Sequence, residues 1–188
     1  MNSAVFLDRD GVIIENRAAY VRSWSEVTFL PGALQALVQL SQSAHAIVIV
    51  TNQSVIGRGL IPGSQILDIN RRIVGVIRDA GARIDGVYIC PHAPDDNCEC
   101  RKPKPGLLTQ AAEELDLDLS RSYMVGDALT DLIAAERAGL PGRFLVLSGR
   151  GAVQAQLPEA AQLASFQVVP TLVEAVDVIL HHAANDLV

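Results

Sequence analysis

No stretch of this 188-residue chain approaches the roughly 20 consecutive apolar residues that a membrane-spanning helix needs. The first residues also lack a charged segment followed by an apolar one. Neither a membrane partner nor a secretory leader is expected, which leaves the cytoplasm as the expected compartment. A basic block is missing too: Asp and Glu outnumber Lys and Arg 21 to 15, giving a net charge of -6 and a pI near 5.1. Polyanions are held by clustered cations that release counterions, so nucleic acid is not an expected partner. A small anionic ligand held by a few local cations is still compatible. Cysteine is scarce, and its 3 residues all fall between Cys90 and Cys100. An odd, clustered set suits a metal better than disulfides. Repeats, low-complexity tracts and linkers are absent. A chain of 188 residues with 49% hydrophobic content can fill one core but is short for two, so one domain over residues 1–188, acting as a monomer, is expected.

Short β-rich runs alternate with helical periodicity, the pattern of a parallel sheet with helices on both faces. Strands are predicted at residues 4–7, 46–50, 86–89, 122–125 and 144–147. Pro31 and Gly32 open a helix with Leu34, Leu37 and Val38 on one face, and Ser64 is placed to cap a helix carrying Ile66, Ile69, Ile73 and Ile77. Further helices follow Gly106, span about 128–138 before Gly139 and Pro141, and lie near 172–182. Residues 15–28 and 91–105 have no clear period, and loops of that length in a compact domain are usually functional or pinned. His45, His181 and His182 stand apart from every motif and are expected on the surface, with Trp24 packed beneath the first long loop.

Loops at the carboxyl ends of parallel strands converge on one crevice, so motifs distant in sequence can meet there. Asp8 and Asp10 follow the first strand, and i, i+2 spacing carries both carboxylates off one face. Like charges that close call for a divalent cation with oxygen ligands. Alone, the pair reads more readily as two solvated acids at a strand end, a common occurrence for a single D-x-D. Thr51, Asn52, Gln53 and Ser54 follow the second strand, with Gly57, Arg58 and Gly59 close behind. They supply donors suited to phosphate oxygens, although the same residues also make ordinary turns. Asp127 follows Gly126 at the fourth strand end, where it either completes a Mg²⁺ site or caps a helix with Asp131 as a solvated first-turn acid. Cys90, His92, Cys98 and Cys100 match a closed tetrahedral Zn²⁺ site of structural type, against a metal-free loop or a redox pair at Cys98 and Cys100. Zinc there would hold Arg101 and Lys102 rigidly over the crevice.

Together these parts describe phosphoryl transfer. Asp8 attacks, Asp10 gives a proton to the leaving oxygen and later takes one from water, and Thr51, Lys102 and Mg²⁺ neutralise charge on the transferred group.

FLDRDG, VTNQS, CRKPKPG and MVGDALTD, in that order over about residues 4–147, resemble the haloacid dehalogenase superfamily of aspartate-nucleophile phosphatases. The intervening C-P-H and C-E-C narrow the resemblance to the heptose 1,7-bisphosphate 7-phosphatase and histidinol-phosphate phosphatase group. The resemblance implies an α/β fold: a Rossmann-like three-layer sandwich with a central parallel sheet, a minimal cap and a zinc-bound loop, with residues 15–28 forming a short flap. It implies Asp8 as nucleophile, Asp10 as general acid and base, and Thr51 and Lys102 as stabilisers of the phosphoryl group. Mg²⁺ would be held by Asp8, the Asp10 carbonyl and Asp127. Substrate contacts would come from Arg101, from Asn16, Arg17, Ala18 and Ala19, and from Asn52, Gln53 and Ser54 beside Thr51.

KPKPG before a helix favours the heptose enzymes, and with them a small phosphorylated sugar as partner. Five positions, in three places, depart from their pattern. Ala128 stands where they commonly carry a substrate-contacting lysine, Val55 replaces a usual glycine, and Arg17, Ala18 and Ala19 replace a familiar His-Gly pair. Histidinol phosphate carries a cationic amine, so an acidic flap contact from Glu15 or Glu26 would favour that substrate instead. A zinc-stabilised partner-binding module without catalysis would lack a nucleophile or acid, yet Asp8, Asp10, Thr51, Lys102 and Asp127 are all present.

Overall fold

The structure is a computed structural model that describes residues 2–185. Six strands, β1 (Ala4–Leu7), β2 (Ala46–Asn52), β3 (Gly86–Cys90), β4 (Tyr123–Gly126), β5 (Gly142–Val146) and β6 (Gln167–Val169), form one sheet in the order β3-β2-β1-β4-β5-β6. Every neighbouring pair is parallel. Alternation along each strand sends side chains to opposite faces, and both faces are apolar. Val5 and Leu7 of β1 pack with Ile47, Ile49 and Val125 against α1 (Ala33–Leu40), α3 (Gly63–Asp79) and α7 (Leu172–Asn185). Ala4 and Phe6 pack with Val48, Val50 and Met124 against α4 (Gly106–Leu115) and α5 (Leu129–Arg137). The α/β fold is thus the expected three-layer one.

Several boundaries differ from those read in the sequence. Strands β2 and β3 extend through Asn52 and Cys90, where polar residues keep up ladder pairing at the crevice. The third helix begins at Gly63 after Pro62, so Ser64 lies inside it and does not cap it. Short α2 (Ser54–Gly57), α6 (Gly151–Gln154) and three-residue β6 are too brief to show a hydrophobic period.

His45 is buried, not superficial: its Nδ1 lies 2.7 Å from Ser3 Oγ and its ring meets Tyr123 edge-on. His181 and His182 are exposed. Trp24 is partly buried against the core, with the Arg72 guanidinium 5.9 Å from its ring centroid. The flap is closed at its base by hydrogen bonds from Glu15 N to Thr28 O and Leu30 N to Ile13 O, while buried Val21 anchors its far side. Among the described residues no helix is long and apolar enough to cross a membrane.

Candidate active site

From β1 the chain proceeds outward through β2 to β3, then returns to β4 on the other side of β1. That reversal opens a crevice at the carboxyl ends of β1 and β4. Asp8 leaves β1 there, its amide donating to Val125 O at 3.0 Å, and Asp127 leaves β4. Asp131 rises from the first turn of α5. The three carboxylates are buried, with one oxygen from each lying within 4.8 Å of the others. Backbone room is a condition of this crowding. Gly11 has φ +86°, and a Cβ there would collide with the Asp127 carboxylate; a Cβ at Gly126 would collide with Asp131.

Lys102 lies among these acids. Its Nζ is 2.6 Å from Asp131 Oδ1 and 3.1 Å from Asp8 Oδ1, and it donates to Val50 O at 2.7 Å. Burial alone would push its pKa down, but the charges of Asp131 and Asp8 outweigh that and raise it. Burial raises the pKa of Asp131, against the opposing pull of Lys102. Asp131 also accepts from Ala128 N at 3.1 Å, so this residue both caps α5 and holds the lysine. Asp131→Ala would leave the buried ammonium with one countercharge. Thermal unfolding should report a loss of about 3 kcal/mol, equivalent to about 6–12 °C in Tm. An unchanged Tm would refute this role.

Asp10 is turned away from that cluster. Arg9, 1% exposed, grips its carboxylate through Nε at 2.9 Å and Nη2 at 3.1 Å, and is itself fixed by Asn70 Oδ1 and Gln53 Oε1. Gln53 Nε2 donates both to Asp10 at 3.0 Å and to Thr51 Oγ1 at 2.9 Å. Burial raises the Asp10 pKa, only partly opposed by Arg9. Since Thr51 Oγ1 accepts from Gln53, its own hydroxyl proton is left to point into the cleft.

The second constellation lies just past β3. Cys90 Sγ is 3.6 Å from Cys98 Sγ, Cys98 Sγ is 3.5 Å from Cys100 Sγ, and His92 Nδ1 lies 3.7 Å from Cys90 Sγ and 3.2 Å from Cys100 Sγ. The thiols are free, and a tetrahedron with bonds of about 2.3 Å has edges of about 3.8 Å, so this donor set fits zinc. Burial pushes the Cys90 thiol pKa up, so a cation is the natural means of holding it as thiolate.

Asp8, Asp10, Thr51 and Lys102 open into a cleft of about 390 Å³ that is also lined by Asn16, Arg17, Arg58, Arg101 and Arg150. Residues 99–175 match the HAD-hydrolase-like family model. The chain is 39% identical over 167 residues to the D-glycero-beta-D-manno-heptose-1,7-bisphosphate 7-phosphatase of Photorhabdus laumondii, covering 85% of this chain and 88% of that one. The chain belongs to the heptose-1,7-bisphosphate 7-phosphatase family of HAD-like hydrolases.

Solved structures agree. The D,D-heptose 1,7-bisphosphate phosphatase of Bordetella bronchiseptica, complexed with magnesium and phosphate, superposes with a TM-score of 0.88 at 36% identity, covering 96% of this chain and 99% of that one. The Burkholderia thailandensis D,D-heptose 1,7-bisphosphate phosphatase gives 0.70 at 30% identity, with 95% and 99% covered.

Set in this phosphatase family, the residues singled out in the sequence fall into three groups. Asn16, Arg17, Ala18, Ser54 and Arg101 line the cleft, whereas Ala19 is not among its lining residues. Asn52 and Gln53 line it too, but their side chains are already engaged. Asn52 clamps the Lys102 backbone through Nδ2 to O at 3.0 Å and Oδ1 to N at 3.1 Å, and Gln53 ties Asp10 to Thr51. Arg150, Tyr20 and Thr130 line the cleft without having been anticipated. For Arg150 a signal was available: Ser148, Gly149 and Arg150 immediately follow a predicted strand, at the same end as every other motif.

Proposed function

We propose that this chain removes the 7-phosphate of a heptose 1,7-bisphosphate through an aspartyl-phosphate intermediate on Asp8. The observation that carries this reading is the convergence of Asp8, Asp10, Thr51 and Lys102 on one cleft, with buried Asp127 beside Asp8, within a chain whose phosphatase relatives match it over most of its length. An Asp8 carboxylate oxygen forms a bond to phosphorus as the bond from phosphorus to the sugar oxygen breaks. Asp10, its pKa raised, gives that oxygen its proton, then takes one from the water that hydrolyses the acyl phosphate. Lys102 and the Thr51 hydroxyl hold the equatorial oxygens.

Oxygen-only donors from buried acids fit magnesium, and Asp8, Asp127 and the Asp10 carbonyl would hold it, Asp131 being taken up by Lys102. When bound, the ion supplies Lewis-acid neutralisation of the transferred group. Zinc on Cys90, His92, Cys98 and Cys100 is structural in this reading. The enzyme acts as a cytoplasmic monomer of one domain, with every proposed catalytic group drawn from the same chain.

Glu15 and Glu26 bear on the choice of substrate. Glu15 pairs with Arg17 at 3.1 Å and Glu26 accepts from the amides of Arg22 and Ser23, so neither flap acid is free for a substrate amine. Phosphate release with Mg²⁺ from heptose 1,7-bisphosphate and histidinol phosphate, measured side by side, should favour the bisphosphate by at least about a hundredfold in kcat/KM, or about 2.7 kcal/mol. A preference for histidinol phosphate would overturn the reading.

A further inference from the structure

We propose that Arg150 determines specificity by binding the phosphate that the reaction leaves on the sugar. The inference rests on the bisphosphate reading above and adds a residue that no sequence motif supplied. A doubly phosphorylated ligand entering a cleft walled by Asp8, Asp10 and Asp131, with buried Asp127 beside them, needs positive charge that those acids have not consumed. Lys102 cannot provide it at a second position, because its side chain is 2% exposed and held by Asp8, Asp131 and Val50 O. Arg17 is spread over the flap, bonded to Glu26 O, Thr28 Oγ1 and Glu15. Ala128, the residue after Asp127, is 2% exposed and apolar, so between β4 and β5 the cleft has only the neutral hydroxyl of Thr130 as a side-chain donor. Arg58 and Arg101 enter from the loops after β2 and β3, Arg101 Nη1 donating to His92 O at 3.3 Å.

Arg150 reaches the same place from the end of β5. Its backbone N donates to Asp127 Oδ2 at 2.9 Å, which fixes the base of the side chain. The guanidinium then lies on Asp127 through Nη2 to Oδ1 at 2.9 Å and Nε to Oδ2 at 3.3 Å. The Nη1 edge makes no bond among the described residues, and the side chain is 55% exposed where it lines the cleft. A planar donor edge anchored from behind and open in front is suited to phosphate oxygens. Asp127 cannot give the same lone pairs fully to Arg150 and to a divalent cation. Loading the acidic cluster therefore weakens the hold of Asp127 on the guanidinium and favours its turn toward an anion.

The test compares wild type, Arg150→Gln and Arg150→Lys on heptose 1,7-bisphosphate and on heptose 7-phosphate, which lacks the second phosphate. Calorimetric binding of heptose 1-phosphate and of Mg²⁺ accompanies the kinetics. Arg150→Gln should raise KM for the bisphosphate at least about tenfold more than KM for the monophosphate, and weaken heptose 1-phosphate binding by a similar factor. Arg150→Lys should recover part of both. Equal losses on the two substrates, or a changed Mg²⁺ affinity with unchanged heptose 1-phosphate binding, would show that Arg150 acts only through Asp127 and would overturn the proposal. So would an undiminished preference for the bisphosphate in Arg150→Gln. A wild-type enzyme that does not turn over the bisphosphate would instead defeat the underlying functional reading, an outcome visible before any variant is made.

Discussion

Asp8→Asn is expected to lower kcat by at least about ten-thousandfold, or about 5.4 kcal/mol of transition-state stabilisation, while shifting Tm by no more than about 4 °C. The two effects separate because the amide keeps the shape of the carboxylate but not its nucleophilic charge. Asp8 Oδ1 accepts from Arg9 N at 2.8 Å and lies 3.1 Å from Lys102 Nζ, and an amide oxygen can accept in both places. Lys102 keeps Asp131 at 2.6 Å as its charged partner, so the ammonium does not become a buried orphan. Removing one of three crowded carboxylates also relieves repulsion among those that remain. Chemistry has no such compensation: Asp127 is fully buried, and Asp131 is fixed by both Lys102 and the Ala128 amide at the start of α5. Rapid quenching with radiolabelled substrate should trap a hydroxylamine-sensitive phosphoprotein in wild type and none in Asp8→Asn. Activity within tenfold of wild type would remove the aspartyl-phosphate mechanism.

The chemistry was legible in the sequence because parallel-sheet topology does the collecting. Once strands are read at residues 4–7, 46–50 and 122–125, the residues that follow each of them must share one end of the sheet, whatever their separation along the chain. Hence Asp8, Thr51 and Asp127 could be brought together without knowing strand order. Which partner each side chain takes could not be read in the same way. Asp131 has the spacing of an ordinary first-turn acid, and only the approach of Lys102, from a loop placed by the fold, makes it a buried countercharge. Gln53 carries the same ambiguity: the sequence shows a polar residue at a strand end, while the fold turns it inward to join Asp10 and Thr51.

Arg9 and His45 show the opposite limit. Each is a polar residue whose burial depends on partners from distant elements, Asn70 of α3 and Gln53 for Arg9, beyond its neighbour Asp10, and Ser3 for His45. Local composition contains no trace of such pairings. Short elements escaped for a different reason. One turn of helix or three residues of strand carries too few positions to display a period, so α2, α6 and β6 appear only when packing defines them.

Cys98→Ser should release about one zinc per chain and lower both stability and turnover, although the ligands never touch the cleft. The cluster ties the end of β3 to the residues just before Lys102, so its loss loosens one of two anchors on that lysine. The other anchor is Asn52, which holds the Lys102 backbone from β2 at both N and O. With one anchor gone, kcat should fall by about ten- to a hundredfold, whereas Cys98→Ser combined with Asn52→Ala should cost more than the product of the single losses, because each restraint then no longer covers for the other. Unfolding should register a loss of about 3 kcal/mol or more, or about 6–12 °C. The core on the α1, α3 and α7 face contains none of the four ligands, and Cys98 and Cys100 only border the other core, to which Cys90 belongs, so the variant should still fold, which permits the kinetic comparison. Metal analysis decides the matter first: wild type without zinc, or Cys98→Ser with zinc unchanged, would dismiss the tetrahedral site. Lost zinc with kcat unaltered would instead confine the metal to stability and leave the Lys102 backbone held by Asn52, with its Nζ still fixed by Asp8, Asp131 and Val50 O.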